Sequence, residues 1–135
     1  MALQGQVTIG GRTYGVVECA YDFSQSLDDT GKPTSRPKGG TITFVIPSTS
    51  DDDLFFYNWM FNKTQVYNGI FKFCVYTTRN KQSYKTVLFT NAYCVSLKDY
   101  FNDNDSKLMY TTITISAEII RIGTLNSATF TNEWT

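Results

Sequence analysis

Residues 110–122 constrain this chain more than any other segment, because apolar and polar side chains alternate through them with a period of two. Ile113, Ile115, Ala117 and Ile119 fall on one side, and Thr112, Thr114, Ser116 and Glu118 on the other. A helix would scatter both sets around its circumference, whereas a pleated strand turns one toward a core and the other toward solvent. The phase breaks at Ile119-Ile120, which predicts a bulge or the strand's end. Residues 41–46 use the same device: Ile42, Phe44 and Ile46 share a face, and Pro47, with no N–H to donate, closes the run. Further strands are predicted at 6–9 and 14–23, divided by Gly10-Gly11, at 70–77 and 84–91 as a hairpin around 79–82, and at 92–100 after a bend. This spacing specifies a mainly β domain, a barrel of two packed antiparallel sheets.

One segment departs from the pattern. Ser50 and Asp51-Asp52-Asp53 precede an aromatic run ending at Phe61. Ser50 as a cap, Asp53 three residues on and the acids at the positive end of the dipole predict a helix over about 51–62. A helix lying on a barrel needs a single apolar stripe. This one carries Leu54, Phe55, Phe56, Tyr57, Trp59, Met60 and Phe61, nearly all the way round. Its second side is buried either within the monomer or, as expected here, against another chain, which makes these seven residues the candidate interface set.

Residues 24–40 form the other departure, a polar stretch with two prolines and three glycines. Structureless loops longer than about 12–15 residues are uncommon in compact domains and are often functional. Two readings stay open, a flexible hairpin loop and a docking arm. In the second, Asp28, Asp29, Lys32, Arg36 and Lys38 are the docking charges.

Composition narrows the chemistry. The 135 residues suffice for one core, burying roughly two-thirds of the unfolded surface. Lys+Arg and Asp+Glu both number 12, so no net field favours nucleic acid or an anionic membrane, and neither is an expected partner. No apolar run approaches the roughly 20 residues that span a bilayer. Residues 1–6 lack a basic stretch followed by an apolar run, which predicts a cytoplasmic product without a cleavable signal peptide. Histidine is absent, and isolated Cys19, Cys74 and Cys94 do not make a zinc site, so no metal and no cofactor are expected. The cysteines read as small apolar core residues of a reducing compartment. Asn102-Asp103-Asn104-Asp105 lacks the glycine and distal glutamate of a calcium loop and reads as a solvated turn. Asp29-Thr30-Gly31 matches the triplet of dimeric aspartic proteases, but a shared-proton dyad needs a dry loop after an apolar strand. Here the triplet sits in the most polar part of the chain, and the protein is expected not to be an enzyme.

The order of these pieces resembles a known family. Tyr21, Phe23 and Gln25, then Asp28, Gly31 and Pro33, then Gly39-Gly40 and the strand to Ile46, followed by the Asp-rich aromatic segment, resemble the type VI secretion tube protein family (haemolysin-coregulated protein, TssD). Residues 87–95 and 109–120 resemble its late strands, and the likeness covers about 3–123, the tube-subunit domain. The tail, 124–135, finds no counterpart and is left either to pair as a last strand or to hang free. The resemblance implies a barrel with one flanking helix, a homo-hexameric ring and rings stacked into a hollow tube. Sheath proteins, a VgrG-type spike and effector proteins are its implied partners, with export through the machine in place of a signal peptide. It also implies that the 24–40 loop reaches the adjacent ring. The alternatives are a phage tail-tube subunit and a ligand- or carbohydrate-binding β-barrel using the aromatics as a stacking platform.

Overall fold

A computed structural model describes residues 4–78, 81–104, 109–132 and 134. The described chain runs β1 (Gly5–Ile9), β2 (Arg12–Gly15), β3 (Glu18–Tyr21), β4 (Thr41–Pro47), α1 (Phe55–Met60), β5 (Tyr67–Thr78), β6 (Lys81–Phe101), β7 (Met109–Ile122) and β8 (Ala128–Thr131). The strands form one antiparallel sheet in the order β2-β1-β5-β6-β7-β4-β3, with β8 added to β7. The expected two packed sheets are therefore one continuous sheet, curled on itself.

The two ends of the curled sheet are joined through residues expected to lie inside a single strand, 14–23. That run breaks at Val16-Val17, because the chain there changes neighbours. Val16 N donates to Gly5 O (2.9 Å) beside β1, and the next amide, Val17 N, donates to Val45 O (2.8 Å) in β4. The two outer strands of the sheet, β2 and β3, are thus consecutive in the chain and stitch its ends together. Among the described residues β2 pairs with β1 and β3 with β4, so the ends of the curled sheet are joined by the chain itself and not by a ladder between them.

The alternation of β4 holds as expected: Ile42, Phe44 and Ile46 are buried, while Thr41 and Thr43 face outward. In β7 the face carries Ile113, Ile115 and Ala117 inward, and then the phase changes, so that Ile120 is buried instead of Ile119. The strand does not end there. Its partner changes from β4, paired up to Ser116, to β8, paired from Ile119. β6 shifts in step: Phe89 and Ala92 are both buried, paired with Ile120 and Ala117. Between them Asn91 takes a left-handed conformation (φ 53°), which Asn tolerates better than most residues. Its amide donates to Asn68 Oδ1 (2.8 Å) and its Nδ2 to Glu118 Oε1 (2.9 Å). The expected bend before 92 is this kink inside one 21-residue strand. Of the expected turn at 79–82, Lys81 and Gln82 belong to β6, and Arg79 and Asn80 lie outside the described residues.

The interior is filled by side chains. Phe44 meets Phe71 edge-to-face at a ring separation of 5.1 Å, and Phe71 meets Phe89 at a tilt at 5.5 Å. The tail pairs as β8, where Phe130 packs on the core and meets Phe23 at 5.2 Å. Cys94 is buried as expected, but Cys19 and Cys74 are only half-buried.

Gly40 holds the junction of β4, β7 and β8. Its φ is +101°, a conformation that L side chains rarely adopt, and a Cβ there would collide with Asn132 Nδ2 and stand 3.0 Å from Ala117 O. Gly40 O also accepts the Ala117 amide at 2.7 Å. Gly40→Ala is expected to destabilise the fold by about 1–3 kcal/mol, read as a lower urea midpoint with an unchanged slope.

Candidate assembly surfaces

The helix is shorter than the expected 51–62, and the expected capping box does not form. Leu54 occupies the N-cap with no side-chain cap, and no acid lies in the first turn. Asp53 is engaged elsewhere. Its carboxylate pairs with Arg12 Nη1, accepts Tyr14 O–H at 2.8 Å, and takes the Phe55 amide at 3.2 Å. Its own amide donates to Ser50 O at 3.0 Å, so 50–53 form a turn instead of a first helical turn. At the other end Asn62 Oδ1 accepts the amide and hydroxyl of Thr64, which halts the helix. Burial and the hydrogen bond to Asp53 both push the Tyr14 phenol above its ordinary pKa. This Arg12–Asp53–Tyr14 cluster pins the start of α1 to the β1–β2 hairpin. Sequence reasoning missed it because Asp53 lies 41 and 39 residues from Arg12 and Tyr14, and the run of three aspartates pointed to helix capping.

The seven candidate interface residues divide by position. Phe56 and Trp59 are buried in the subunit's own core, with Phe56 against Tyr14 (4.9 Å) and Trp59 against Tyr67 (5.2 Å). Trp59 Nε1 donates to Gln65 O at 3.1 Å. Phe55 is half-buried between Tyr67 (4.8 Å) and the Arg12 guanidinium (5.8 Å). Met60 reaches the Cys94 thiol, and Tyr57 O–H donates to Asp99 Oδ2 at 2.7 Å. Asp99 Oδ1 in turn accepts Thr111 Oγ1 (2.6 Å), tying α1 to β6 and β7. Leu54 (47% exposed) and Phe61 (81% exposed), the two residues flanking α1, present apolar surface to solvent. The second apolar side read from the sequence is therefore carried by the ends of the segment, not by its whole circumference.

The 24–40 stretch is an ordered projecting arm. Bridges at Ser24↔Lys38 and Leu27↔Pro33 make it a narrow hairpin. Ser24 N donates to Lys38 O (3.0 Å), Thr34 N to Ser26 O (2.8 Å) and Asp28 N to Lys32 O (2.9 Å). At the tip Asp28 Oδ1 accepts Thr30 N (2.9 Å), Thr30 Oγ1 (2.8 Å) and Lys32 N (2.9 Å). Asp28, grouped with the docking charges, is thus the residue that shapes the tip, whereas Asp29, Lys32, Arg36 and Lys38 are exposed along the arm. Donation from the Lys32 amide, then from Thr30, holds the Asp28 carboxyl below its ordinary 3.8. A carboxyl with a lowered folded pKa supports structure fully above its unfolded pKa and loses that support as pH falls through the folded one. The Thr30 and Lys32 amide resonances are therefore expected to hold their native shifts at pH 5 and to move toward unfolded positions only below about pH 3.8. NMR titration checks this.

The Asp29-Thr30-Gly31 triplet lies on this exposed tip, away from any dry cleft. Burial pushes the Cys19 thiol up to about 12 and Cys94 to about 11, which leaves both protonated at neutral pH. Among the described residues no three His, Cys, Asp or Glu side chains converge on a metal position. Asn102 Oδ1 accepts the Asn104 amide at 3.0 Å in an exposed turn; Asp105 lies outside the described residues.

Known proteins share this architecture. The sequence matches the family model "Hemolysin coregulated protein Hcp (TssD)" over residues 1–135, which takes in the tail that the resemblance read from sequence had left out. No curated protein sequence matches. Among solved structures, Hcp1 from Flavobacterium johnsoniae is 30% identical with a TM-score of 0.81, covering 96% of this chain and 100% of that one. The Hcp1 protein of the E. coli EAEC 042 pathovar, in mutant form, is 14% identical with a TM-score of 0.74, covering 99% and 100%. A sheath–tube complex of an extracellular contractile injection system, PVC, contains a chain 15% identical with a TM-score of 0.55, covering 93% and 91%. Taken with the whole-length match to the family model, the curled eight-stranded sheet carrying α1 makes this chain a member of the haemolysin-coregulated protein (Hcp, TssD) family.

Proposed function

We propose that this tube subunit closes into a homo-hexameric ring, and that the rings stack into the inner tube of a type VI secretion machine. A contractile sheath would drive that tube outward with a VgrG-type spike at its tip and effector proteins as cargo, so that the subunit leaves the cytoplasm with the tube. The observation that carries the reading is the match to Flavobacterium johnsoniae Hcp1 across 96% of the chain. The role is structural, with no catalysis and no cofactor. Leu54, Phe61 and the half-buried Phe55, Tyr57 and Met60 supply one face of the ring contact, and Phe56 and Trp59 hold that face rigid from behind. A ring of identical subunits joins two different patches per protomer, so each copy is held on two sides.

A tube of the extracellular contractile type is the nearest second reading. Its TM-scores of 0.57 and 0.55 fall well below 0.81, which favours the type VI assignment. The ligand-binding barrel is disfavoured because Phe44, Phe71, Phe89 and Trp59 occupy the interior where a ligand would sit. Among the described residues no helix is long and apolar enough to cross a membrane. Negative-stain imaging and native mass spectrometry of the purified chain test the proposal. Six-subunit rings that stack at high concentration are expected, and a strictly monomeric protein at every concentration would overturn it.

A further inference from the structure

The arm carries an unusual residue at its tip: Leu27 is 63% exposed, beside Asp29 on one side of the turn and Lys32 on the other. An apolar side chain held out on a hydrogen-bonded hairpin loses less backbone freedom, if it is then buried elsewhere, than one on an unpaired loop. The outer wall of the barrel has a groove of about 470 Å³ between β3, β4, β6 and β7. Val17, Val45, Tyr100 and Tyr110 form its apolar lining, and Glu18 and Lys98 stand in it. Val17 and Tyr100 are 49% and 56% exposed. Asp29, Lys32, Glu18 and Lys98 have no side-chain partner among the described residues.

Position matters as much as chemistry. In the β3–β4 pair, Tyr21↔Ile42 is the rung beside the arm's root, and Glu18↔Val45 is the rung at the opposite end, beside the groove. A knob at one end and a groove at the other make a heterologous contact. Repeated by translation, such a contact never closes and generates an open stack. The groove's one acid and one base match the tip's one base and one acid.

We propose that the arm seats Leu27 in the Val17–Val45–Tyr100–Tyr110 groove of a second copy in the next ring, with Asp29 meeting Lys98 and Lys32 meeting Glu18. This rests on the ring-stacking reading above and adds the surface that receives the arm. The groove then serves as the socket that sets the axial register of the tube.

The test uses the full chain with Asp29→Lys, Lys98→Asp, both together, and Leu27→Asp. Stacking is followed by negative-stain imaging and sedimentation, and a Leu27→Cys/Tyr100→Cys pair is oxidised mildly and its linked peptides identified. Each single charge reversal is expected to weaken stacking by about two- to fivefold per contact, and the double reversal to restore it. Leu27→Asp should weaken it tenfold or more per contact with rings intact, and a disulfide should join positions 27 and 100 of different chains. Single reversals that abolish stacking without rescue in the double, and with no 27–100 link, would overturn the groove as socket while leaving arm-mediated stacking in place. Tubes indifferent to Leu27→Asp would overturn the arm's role altogether, and this proposal with it.

Discussion

Replacing both exposed apolar residues that flank the helix, Leu54→Asp with Phe61→Asp, is expected to convert rings to folded monomers. Both side chains face solvent in the single subunit, so the folded monomer gains rather than loses solvation, and its far-UV circular dichroism and urea midpoint should stay within experimental scatter. At a ring contact each large apolar side chain buried contributes roughly 1.5–3 kcal/mol. Losing two per contact, and forcing two carboxylates against an apolar partner, weakens each contact by on the order of several hundred-fold or more. A closed ring magnifies the loss because every subunit loses both of its neighbours. Size-exclusion chromatography with light scattering reads the result directly. Rings surviving the double substitution would show that these flanks do not meet a neighbour.

Trp59→Ala should have the opposite signature, striking the monomer first. Trp59 is 2% exposed, surrounded by Phe55, Phe56 and Tyr67, and anchored by its indole N–H on Gln65 O. Truncation removes the transfer energy of the ring, leaves a cavity that neighbouring aromatics fill only in part, and strands a carbonyl. The expected cost is about 3–5 kcal/mol, a large fraction of the roughly 5–15 kcal/mol that stabilises a domain of ordinary size. Urea denaturation followed by tyrosine fluorescence measures it. A midpoint unchanged from wild type would mean that α1 is held to the barrel by the Arg12–Asp53–Tyr14 and Tyr57–Asp99 bonds instead of by its aromatic face. The two substitutions together separate the parts of residues 54–61 that hold the subunit from the parts free to meet another.

The contrast explains how far the sequence could be read. Period-two alternation found β4 and most of β7 because a strand exposes its pattern locally, two residues at a time. The same locality misled at the helix. Ser50 and three aspartates satisfy every short-range criterion for a capped N-terminus, but Arg12 and Tyr14, close in space and remote in sequence, draw Asp53 away. The arm's charge pattern was visible, while the difference between Asp28, whose carboxylate folds the tip, and Asp29, which stays exposed beside it, follows from hydrogen bonds across the turn.

By itself the sequence determined the β class, the core faces of β4 and the first half of β7, one aromatic helix, a polar arm between two strands and the resemblance to a tube-protein family. Tertiary structure alone decided where the chain crosses from one end of the sheet to the other, at Val16-Val17, and why Ile120 rather than Ile119 turns inward. It also decided which of the seven helix-region side chains remain outside the core. The physical reason is common to all three: each depends on which strand or side chain becomes a neighbour, and neighbours separated by tens of residues leave no mark on local periodicity.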